Sequence, residues 1–382
     1  MQASLSQGNE YHYLIHLLRC AIHRDIPEEL PEGMSFQKVY DYAMEHDVAN
    51  LAFYAVEKLQ RKPDDDLYAT WSHRRDLALV RDMNQDYARQ EIVEAFEEQG
   101  IPYKELQGTV LKKLYPRPEY RTMSDLDFIV EKTRLTECGK ILEQLGYSLK
   151  PIGDYEIDGV RKPKIFVELH TDYFSPNTTY YGTLDLSFTP KDPNGKEAVT
   201  ELYLYNVLHI AKHYFAGGCG IRRVLDMYYL DLQYGAMVDW NVAMPVLEQA
   251  GVETFAENFL ALARVWFGKE DHTSQIDPME RYICDVGLHG NRESYIGNRL
   301  NRFRQEKGVT FWSKVRYLLL RIFPGDKVML DSYPVLKKYR ILYPIFWIYR
   351  IIRMICGKNR AAAMLDLKLI LRADGDDKAA PK

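Results

Sequence analysis

The sequence contains little cysteine and no paired arrangement of it. Five cysteines are widely scattered, and no two of them form a C-x-x-C pair: Cys20, Cys138, Cys219, Cys284 and Cys356. This pattern argues against a zinc or redox dithiol motif and fits a reducing compartment. No internal repeat is visible, and the 382 residues with 46% apolar and 27% charged side chains indicate a globular protein of two or three packed units.

Long hydrophobic runs are also missing. The N-terminal residues, MQASLSQGNE, lack the charged and then apolar pattern of a secretory signal. The most apolar run, from Ile341 to Cys356, is interrupted by Arg350 and Arg353 and is shorter than the roughly 20 residues that a spanning helix needs. We therefore expect a cytoplasmic protein without a transmembrane helix.

A large net charge is absent, but the charge is unevenly distributed. Residues 313–360 contain eleven Lys or Arg and two Asp or Glu, a charge of +9 that leaves −13 for the rest of a chain whose total is −4. No nucleic-acid recognition motif accompanies this basic stretch. Its run from Ile341 to Cys356, with Phe346, Trp347 and Arg350, predicts either peripheral membrane association or a helix packed on the protein core with its arginines outward.

Hydrophobic spacing divides the chain into regions. Residues 1–100 have helical periodicity, and a long helix is predicted to begin after Pro63 and to end at Gly100. Its predicted buried face contains Leu77, Val80, Tyr87, Ala88, Ile92 and Ala95. Residues 101–195 predict strands alternating with helices, residues 196–372 are again helical, and 373–382 form a flexible tail. The predicted fold class is α/β, or α+β: a small mixed sheet flanked by N-terminal and C-terminal helical regions.

The elements of the central region follow from short apolar runs between Gly, Pro and Asp. Strands are predicted at 103–106, 126–130, 147–150 and 164–170, and helices near 109–114 and 133–145. Residues 172–195 are rich in Thr, Asn, Pro and Gly, which predicts a hairpin or a loop.

Two carboxylates stand two residues apart in one predicted strand. Because side chains alternate along a strand, Asp125 and Asp127 point to the same face. Two like charges at this distance repel unless a cation lies between them, so the pair predicts a metal site. The alternative is a solvated edge strand.

A third carboxylate follows on the last predicted strand. Glu168 shares a strand face with Phe166 and His170, and it is a candidate for the further ligand that two magnesium ions require. His170 is a candidate substrate contact.

The turn before the acidic pair predicts a phosphate-binding segment. Gly108 ends a strand and enters a short helix, where backbone amides and the helix dipole favour an anion. Thr109 can add a hydroxyl donor, Arg121 can hold a phosphate in bidentate fashion, and Ser124 is assigned to the same group. The alternative for Gly108 is a plain helix-entry turn.

Two pairs at helical i,i+4 spacing are candidate substrate contacts. His209 and His213 could bind a metal, but Ile210 replaces the Glu of the H-E-x-x-H zinc protease pattern, which favours packed or substrate-facing histidines. Arg222 and Asp226 form either a helix-surface ion pair or a contact that orients the acceptor.

These motifs together resemble a known family. The order Gly-Thr, Arg-x-x-x-Asp-x-Asp and Val-Glu-Leu-His is similar to that of the uncharacterised bacterial nucleotidyltransferases of the polymerase-β superfamily, and the resemblance covers most of the chain from about Pro102 onward. His209-x-x-x-His213 and the segment from Gly220 to Asp226 are similar to the family's helical motifs. Gln107 stands where the family usually has Lys, and Thr109 where the wider superfamily prefers Ser.

The resemblance implies that Asp125, Asp127 and Glu168 are metal ligands and that Gly108 and Thr109 border a triphosphate. The expected reaction moves an NMP from an NTP, ATP in the first instance, to an acceptor hydroxyl with release of pyrophosphate. Two Mg²⁺ ions are expected, with Mn²⁺ as a substitute, and no acceptor is implied. Two alternatives stay open: a phosphotransferase on the same frame, and a non-catalytic nucleotide-binding or partner-binding module.

Overall fold

The computed structural model describes residues 10–152, 155–174, 195–288 and 335–356, together with isolated positions between 312 and 333. These residues divide into two compact units. The first contains the described residues up to 211 and residues 220–288, and the second contains residues 212–219 and the described positions from 312 onward. The region boundaries predicted near residues 100 and 195 both fall within the first unit. The predicted tail and most of the loop at 172–195 lie outside the described residues.

Four helices precede the sheet: α1 (Glu10–His23), α2 (Phe36–Glu45), α3 (Ala49–Val56) and α4 (Asp65–Glu98). The long helix α4 begins where the Asp64 carboxylate accepts a hydrogen bond from the Leu67 backbone N–H at 2.9 Å, an N-cap that satisfies a free amide. It ends before Gly100, whose φ of +58° suits a residue without a side chain. The predicted limits of this helix are confirmed.

The predicted buried face of α4 is partly wrong. Leu77, Val80 and Tyr87 are exposed. Ala88 and Ile92 are buried as predicted, and four of the buried positions recur every seven residues, at Trp71, Ala78, Gln85 and Ile92. Two of these positions carry a small or a polar side chain, so hydrophobicity alone could not identify them. The Gln85 amide donates to the Met123 carbonyl at 3.1 Å, which explains a polar group in the core.

The sheet has five strands: β1 (Tyr103–Glu105), β2 (Asp125–Val130), β3 (Ser148–Ile152), β4 (Glu156–Arg161) and β5 (Ile165–His170). Their order is β1-β2-β5-β4-β3, in which β2 and β5 are parallel and all other neighbours are antiparallel. The predicted mixed sheet is confirmed. Strand β4 was not predicted, because Gly159 weakens its strand pattern. A Cβ added to that glycine would lie 3.2 Å from Leu149 Cδ2, so strands β3 and β4 approach closely at this position.

Short elements join the strands. Helix α5 (Gly108–Leu111) and 3-10 turns at Lys112–Leu114 and Pro118–Tyr120 lie between β1 and β2. A 3-10 turn at Lys132–Arg134 and helix α6 (Leu135–Gln144) follow β2.

The two faces of the sheet differ in character. Helices α4 and α6 cover one face of the sheet. Their side chains, including Phe96 and Leu142, form a continuous apolar core with alternate residues of the central strands, including Leu126, Phe128, Val167 and Leu169. The intervening residues of β2 and β5 point to the opposite face, where Asp125, Asp127 and Glu168 lie. The core thus fixes which side chains the other face presents.

Helices also follow the sheet. They are α7 (Lys196–Ala216), α8 (Ile221–Tyr234), α9 (Trp240–Ala250), α10 (Glu253–Phe267) and α11 (Asp277–Val286), with a 3-10 turn at Gly235–Met237. An ion pair between Lys104 of β1 and Glu201 ties α7 to the sheet, and the Tyr173 hydroxyl joins the same pair.

The second unit contains short helices in its C-terminal part. They are α12 (Val335–Lys338), a 3-10 turn at Arg340–Leu342 and α13 (Tyr343–Cys356). Within the described residues, no helix combines the length and the apolar character needed to cross a bilayer.

Candidate active site

Parallel pairing of β2 and β5 brings the predicted carboxylates together. In the register of these strands Asp127 lies opposite Glu168, and Asp125 lies opposite Phe166. Since both strands present alternate residues to the same face, all three carboxylates point away from the apolar core. Asp127 is buried, whereas Asp125 and Glu168 are half-buried.

His170, and not Asp125, completes a cluster of possible metal ligands with Asp127 and Glu168. Ligand atoms of Asp127, Glu168 and His170 all lie within 4.8 Å of one another. His170 Nε2 is 3.3 Å from Asp127 Oδ1 and 3.5 Å from Glu168 Oε2, and its Nδ1 is 3.9 Å from an oxygen of Glu156 on β4. This histidine was predicted as a substrate contact, yet its closest charged neighbours are the carboxylates themselves.

The crowding of negative charge alters the acidity of these groups. Burial raises the pKa of Asp125 to about 6, and the charge of Asp127 acts in the same direction while Arg222 opposes it. Burial, with help from Asp127 and Asp125, raises the pKa of Glu168 to about 7. Burial alone would lower the pKa of His170, but its hydrogen bond to Asp127 and the surrounding carboxylates raise it overall.

The donor set fits a hard divalent cation. Mg²⁺ prefers carboxylate oxygens, and Asp125, Asp127 and Glu168 offer several on one sheet face. Each of Asp125 and Glu168 has an elevated pKa because uncompensated charge is buried there. A cation would supply the missing compensation, so the residues present suit a metal centre.

Tyr205 is a residue of this site that sequence reasoning missed. It is fully buried on α7, and its hydroxyl accepts a hydrogen bond from the Gln107 side chain. Burial, together with the charge of Asp127, raises the pKa of the phenol well above its usual value. Its ring lies 5.8 Å from that of His209, four residues along the helix. That i,i+4 spacing is the signal that could have placed Tyr205 beside the predicted histidine.

The structure gives Gly108 a packing role. A Cβ added there would lie 2.9 Å from Arg121 Nη1 and from Met123 Cβ and Sδ. On the side of Gly108 where a Cβ would lie, the space predicted for a phosphate is therefore filled by atoms of Arg121 and Met123. Thr109 is buried, and its hydroxyl donates to the Leu106 carbonyl at 2.6 Å. The hydroxyl proton predicted for a phosphate therefore stabilises the turn in this structure.

Arg121 and Asp226 form a buried ion pair. Arg121 Nε and Nη2 donate to the two carboxylate oxygens of Asp226 at 2.7 and 2.9 Å, and the Tyr115 hydroxyl donates to the same carboxylate at 2.8 Å. The bidentate edge of Arg121 that was predicted for a phosphate is therefore already used. This pair links the approach to β2 with α8.

Arg222 does not pair with Asp226, so of the two alternatives for these residues the helix-surface ion pair is wrong. Asp226 faces inward to Arg121, whereas Arg222 Nη1 contacts the Asp47 carboxylate and donates to the Thr122 carbonyl at 3.0 Å. Asp226 is buried and both of its carboxylate oxygens accept from Arg121, so it does not face Arg222 on the helix surface. Arg222 instead places positive charge near Asp125, whose pKa it lowers.

The remaining predicted residues lie at different depths. Ser124 is exposed directly before β2. His209 is buried, with its Nδ1 3.5 Å from Arg223 Nη1. His213 is half-buried in the segment that belongs to the second unit. Within the described ranges, neither histidine belongs to a group of three or more metal-type side chains.

A mixed sheet with carboxylates from two parallel strands on its open face is consistent with a nucleotidyltransferase domain. Residues 32–268, more than half of the chain, match the profile of a family described as uncharacterised nucleotidyltransferase. The chain belongs to this family. Among curated proteins and among solved structures, none matches it. The matched segment contains the whole sheet and all the predicted site residues.

Proposed function

We propose that the chain transfers a nucleoside monophosphate from an NTP to an acceptor hydroxyl, and that pyrophosphate leaves. One observation carries this proposal: Asp127 and Glu168 are register partners on parallel strands, with Asp125 on the same face. Family membership supports the reaction class. ATP is the first nucleotide to test.

Asp125, Asp127 and Glu168 would hold the metal, with two Mg²⁺ ions expected and Mn²⁺ as a substitute. When bound, the metal supplies charge neutralisation for a triphosphate and lowers the pKa of an acceptor hydroxyl. The chain's own part is to present several carboxylate oxygens from a rigid sheet, which limits the motion of each ligand.

Four further side chains would prepare the site. His170 Nε2 lies 3.3 Å from Asp127 Oδ1, and a hydrogen bond from the ring to this oxygen would orient the carboxylate. Tyr205, whose phenol is affected by the charge of Asp127, would line the site beside that carboxylate together with its hydrogen-bond partner Gln107. Arg222, held by Asp47 and Thr122, would supply positive charge to a phosphate beside Asp125.

A specific observation favours a second candidate, a module that binds nucleotide without turnover. The predicted phosphate contacts are engaged within the protein: the Thr109 hydroxyl bonds to Leu106, and Arg121 bonds to Asp226. Binding of the β and γ phosphates would then depend on backbone amides and on Arg222. Weak positioning of the triphosphate would lower turnover more than binding.

The test combines binding with product analysis. Calorimetry would measure binding of each NTP with and without Mg²⁺, and NTPs labelled at the α phosphate would then be incubated with the protein and a cell extract. We expect Mg²⁺-dependent binding, label transfer and pyrophosphate. Asp127→Asn and Glu168→Gln should each lower transfer on the order of a hundredfold or more, because metal stabilisation of the transition state is worth several kcal/mol.

Glu137→Gln is the matched control, since Glu137 is a surface residue of α6 on the covered side of the sheet. It should behave as the wild type. Label transfer that survives in Asp127→Asn would reject the site. Release of ADP would identify a phosphotransferase, and Mg²⁺-dependent binding without any product would identify the binding module.

A further inference from the structure

A row of isoleucines is exposed along α13 and the turn before it. Ile341, Ile345, Ile348 and Ile352 expose 87%, 61%, 59% and 55% of their surface. Their spacing of four, three and four residues places them on one side of a helix. We call these four side chains the isoleucine face. Large contiguous apolar groups at a surface mark a site of interaction.

The opposite side of α13 packs within the second unit. The ring of Phe346 lies 4.8 Å from that of Tyr333, and Trp347 lies 5.5 Å from Phe323 in an edge-to-face contact. These aromatic contacts set the rotation of the helix. The sequence had suggested that the aromatic residues meet a membrane or that arginines point outward. In the structure the isoleucines point outward, Arg353 is exposed and Arg350 is half-buried.

Exposed basic side chains stand next to the isoleucine face in the sequence. Lys337, Lys338, Arg340 and Arg353 are exposed. Among the described positions from 312 onward, Asp326 is the acidic side chain. The sequence of 313–360 carries a charge of +9 on an otherwise acidic protein. A surface that combines apolar and basic groups is complementary to anionic lipid headgroups over an acyl layer.

We propose that the isoleucine face lies on an anionic lipid surface. A helix in this position buries its apolar side at the boundary between headgroups and acyl chains, while nearby Lys and Arg contact the lipid phosphates. A second copy of the chain fits less well, because a symmetric contact would bring two sets of basic side chains together. The helix of 14 residues lies on the surface and does not cross it.

The first test is sedimentation of the full chain with lipid vesicles. Vesicles of phosphatidylcholine alone are compared with vesicles in which roughly one third of the lipid is phosphatidylglycerol. We expect binding to the anionic vesicles, weaker binding to neutral ones and a loss of binding at high salt. Ile345→Glu combined with Ile348→Glu should lower the affinity at least about tenfold, because two apolar contacts become charged.

Ile26→Glu is the matched control, since Ile26 is 82% exposed in the first unit and lies outside the isoleucine face. It should bind as the wild type does. Circular dichroism and thermal unfolding of each variant would show that these exposed substitutions leave the fold intact.

A charge variant tests the basic component separately. Lys337→Gln, Lys338→Gln and Arg340→Gln together should weaken binding to anionic vesicles roughly a hundredfold, which corresponds to about fivefold for each charge. No nucleotide is present in these assays, so their outcome is independent of the proposed transferase reaction.

Three results would overturn the proposal. One is that the wild type binds neither kind of vesicle. Another is equal binding to neutral and anionic vesicles with no effect of the charge variant. The third is a dimer in analytical ultracentrifugation that the double isoleucine variant separates, which would assign the face to a second copy.

Discussion

The buried pair of Arg121 and Asp226 leads to a prediction about stability. Their side chains are 6% and 4% exposed, and three hydrogen bonds of 2.7, 2.8 and 2.9 Å converge on the Asp226 carboxylate. Asp226→Leu leaves the Arg121 guanidinium buried without its counter-charge. Removing one member of a buried ion pair costs about 3–5 kcal/mol, because the other charge loses its compensation. We expect a loss of this size in the free energy of unfolding.

A double variant separates the charge effect from packing. Arg121→Met combined with Asp226→Leu replaces both charges by apolar groups of similar volume, and such replacement of a whole pair is often neutral or stabilising. We therefore expect the double variant to be more stable than Asp226→Leu alone. Urea denaturation monitored by circular dichroism measures each free energy of unfolding. Additive losses in the double variant would refute the buried-pair reasoning.

The same double variant decides the role of Arg121 in nucleotide binding. If Arg121 serves to hold Asp226, the well-folded double variant should keep the NTP affinity of the wild type within about threefold, less than 1 kcal/mol. A loss of more than about tenfold would assign Arg121 to the phosphates, as the sequence motif predicts. Calorimetry with Mg²⁺ and ATP gives this comparison directly.

Three further outcomes are expected in the first unit. Gly108→Ala should lower the free energy of unfolding, measured by urea denaturation, by about 1–3 kcal/mol, since its Cβ would lie 2.9 Å from atoms of Arg121 and Met123. An unchanged denaturation midpoint would contradict this packing. Tyr205→Phe should lower the free energy of unfolding by about 0.5–1.5 kcal/mol, because the half-buried Gln107 amide loses its acceptor. A neutral effect would show that the hydroxyl is not used. Burial lowers the pKa of His46 to about 4. Below pH 6.5 the unfolded chain binds a proton that the folded chain does not, so the free energy of unfolding should fall by up to about 3 kcal/mol as the pH decreases toward 4. In His46→Gln that part of the pH dependence should disappear; a pH profile identical to that of the wild type would disprove it.

Local patterns were sufficient for the elements that carry the carboxylates. Alternation along β2 and β5 predicted which face of each strand Asp125, Asp127 and Glu168 occupy, and in the structure that face lies opposite the apolar core. Capping residues also predicted both ends of α4. In each of these cases the signal lies within about ten residues of the feature that it predicts.

Partners that are distant in sequence were beyond such patterns. Arg121 pairs with Asp226 across 105 residues, and Arg222 contacts Asp47 across 175. Motif order placed these residues near the site without saying which of them contact each other. Tyr205 was missed for a related reason, since a tyrosine on a helix with many apolar neighbours is typical of an ordinary core residue.

The parallel pairing of β2 and β5 also has a consequence for folding. A slip of β5 by one residue would bring Val167 or Leu169 beside Asp127 and turn Glu168 toward α4 and α6. Such a chain would bury an uncompensated carboxylate in an apolar layer, which costs several kcal/mol. The acidic residues of the site therefore help to select the correct strand alignment, and chains that reach a folded sheet assemble the site at the same step.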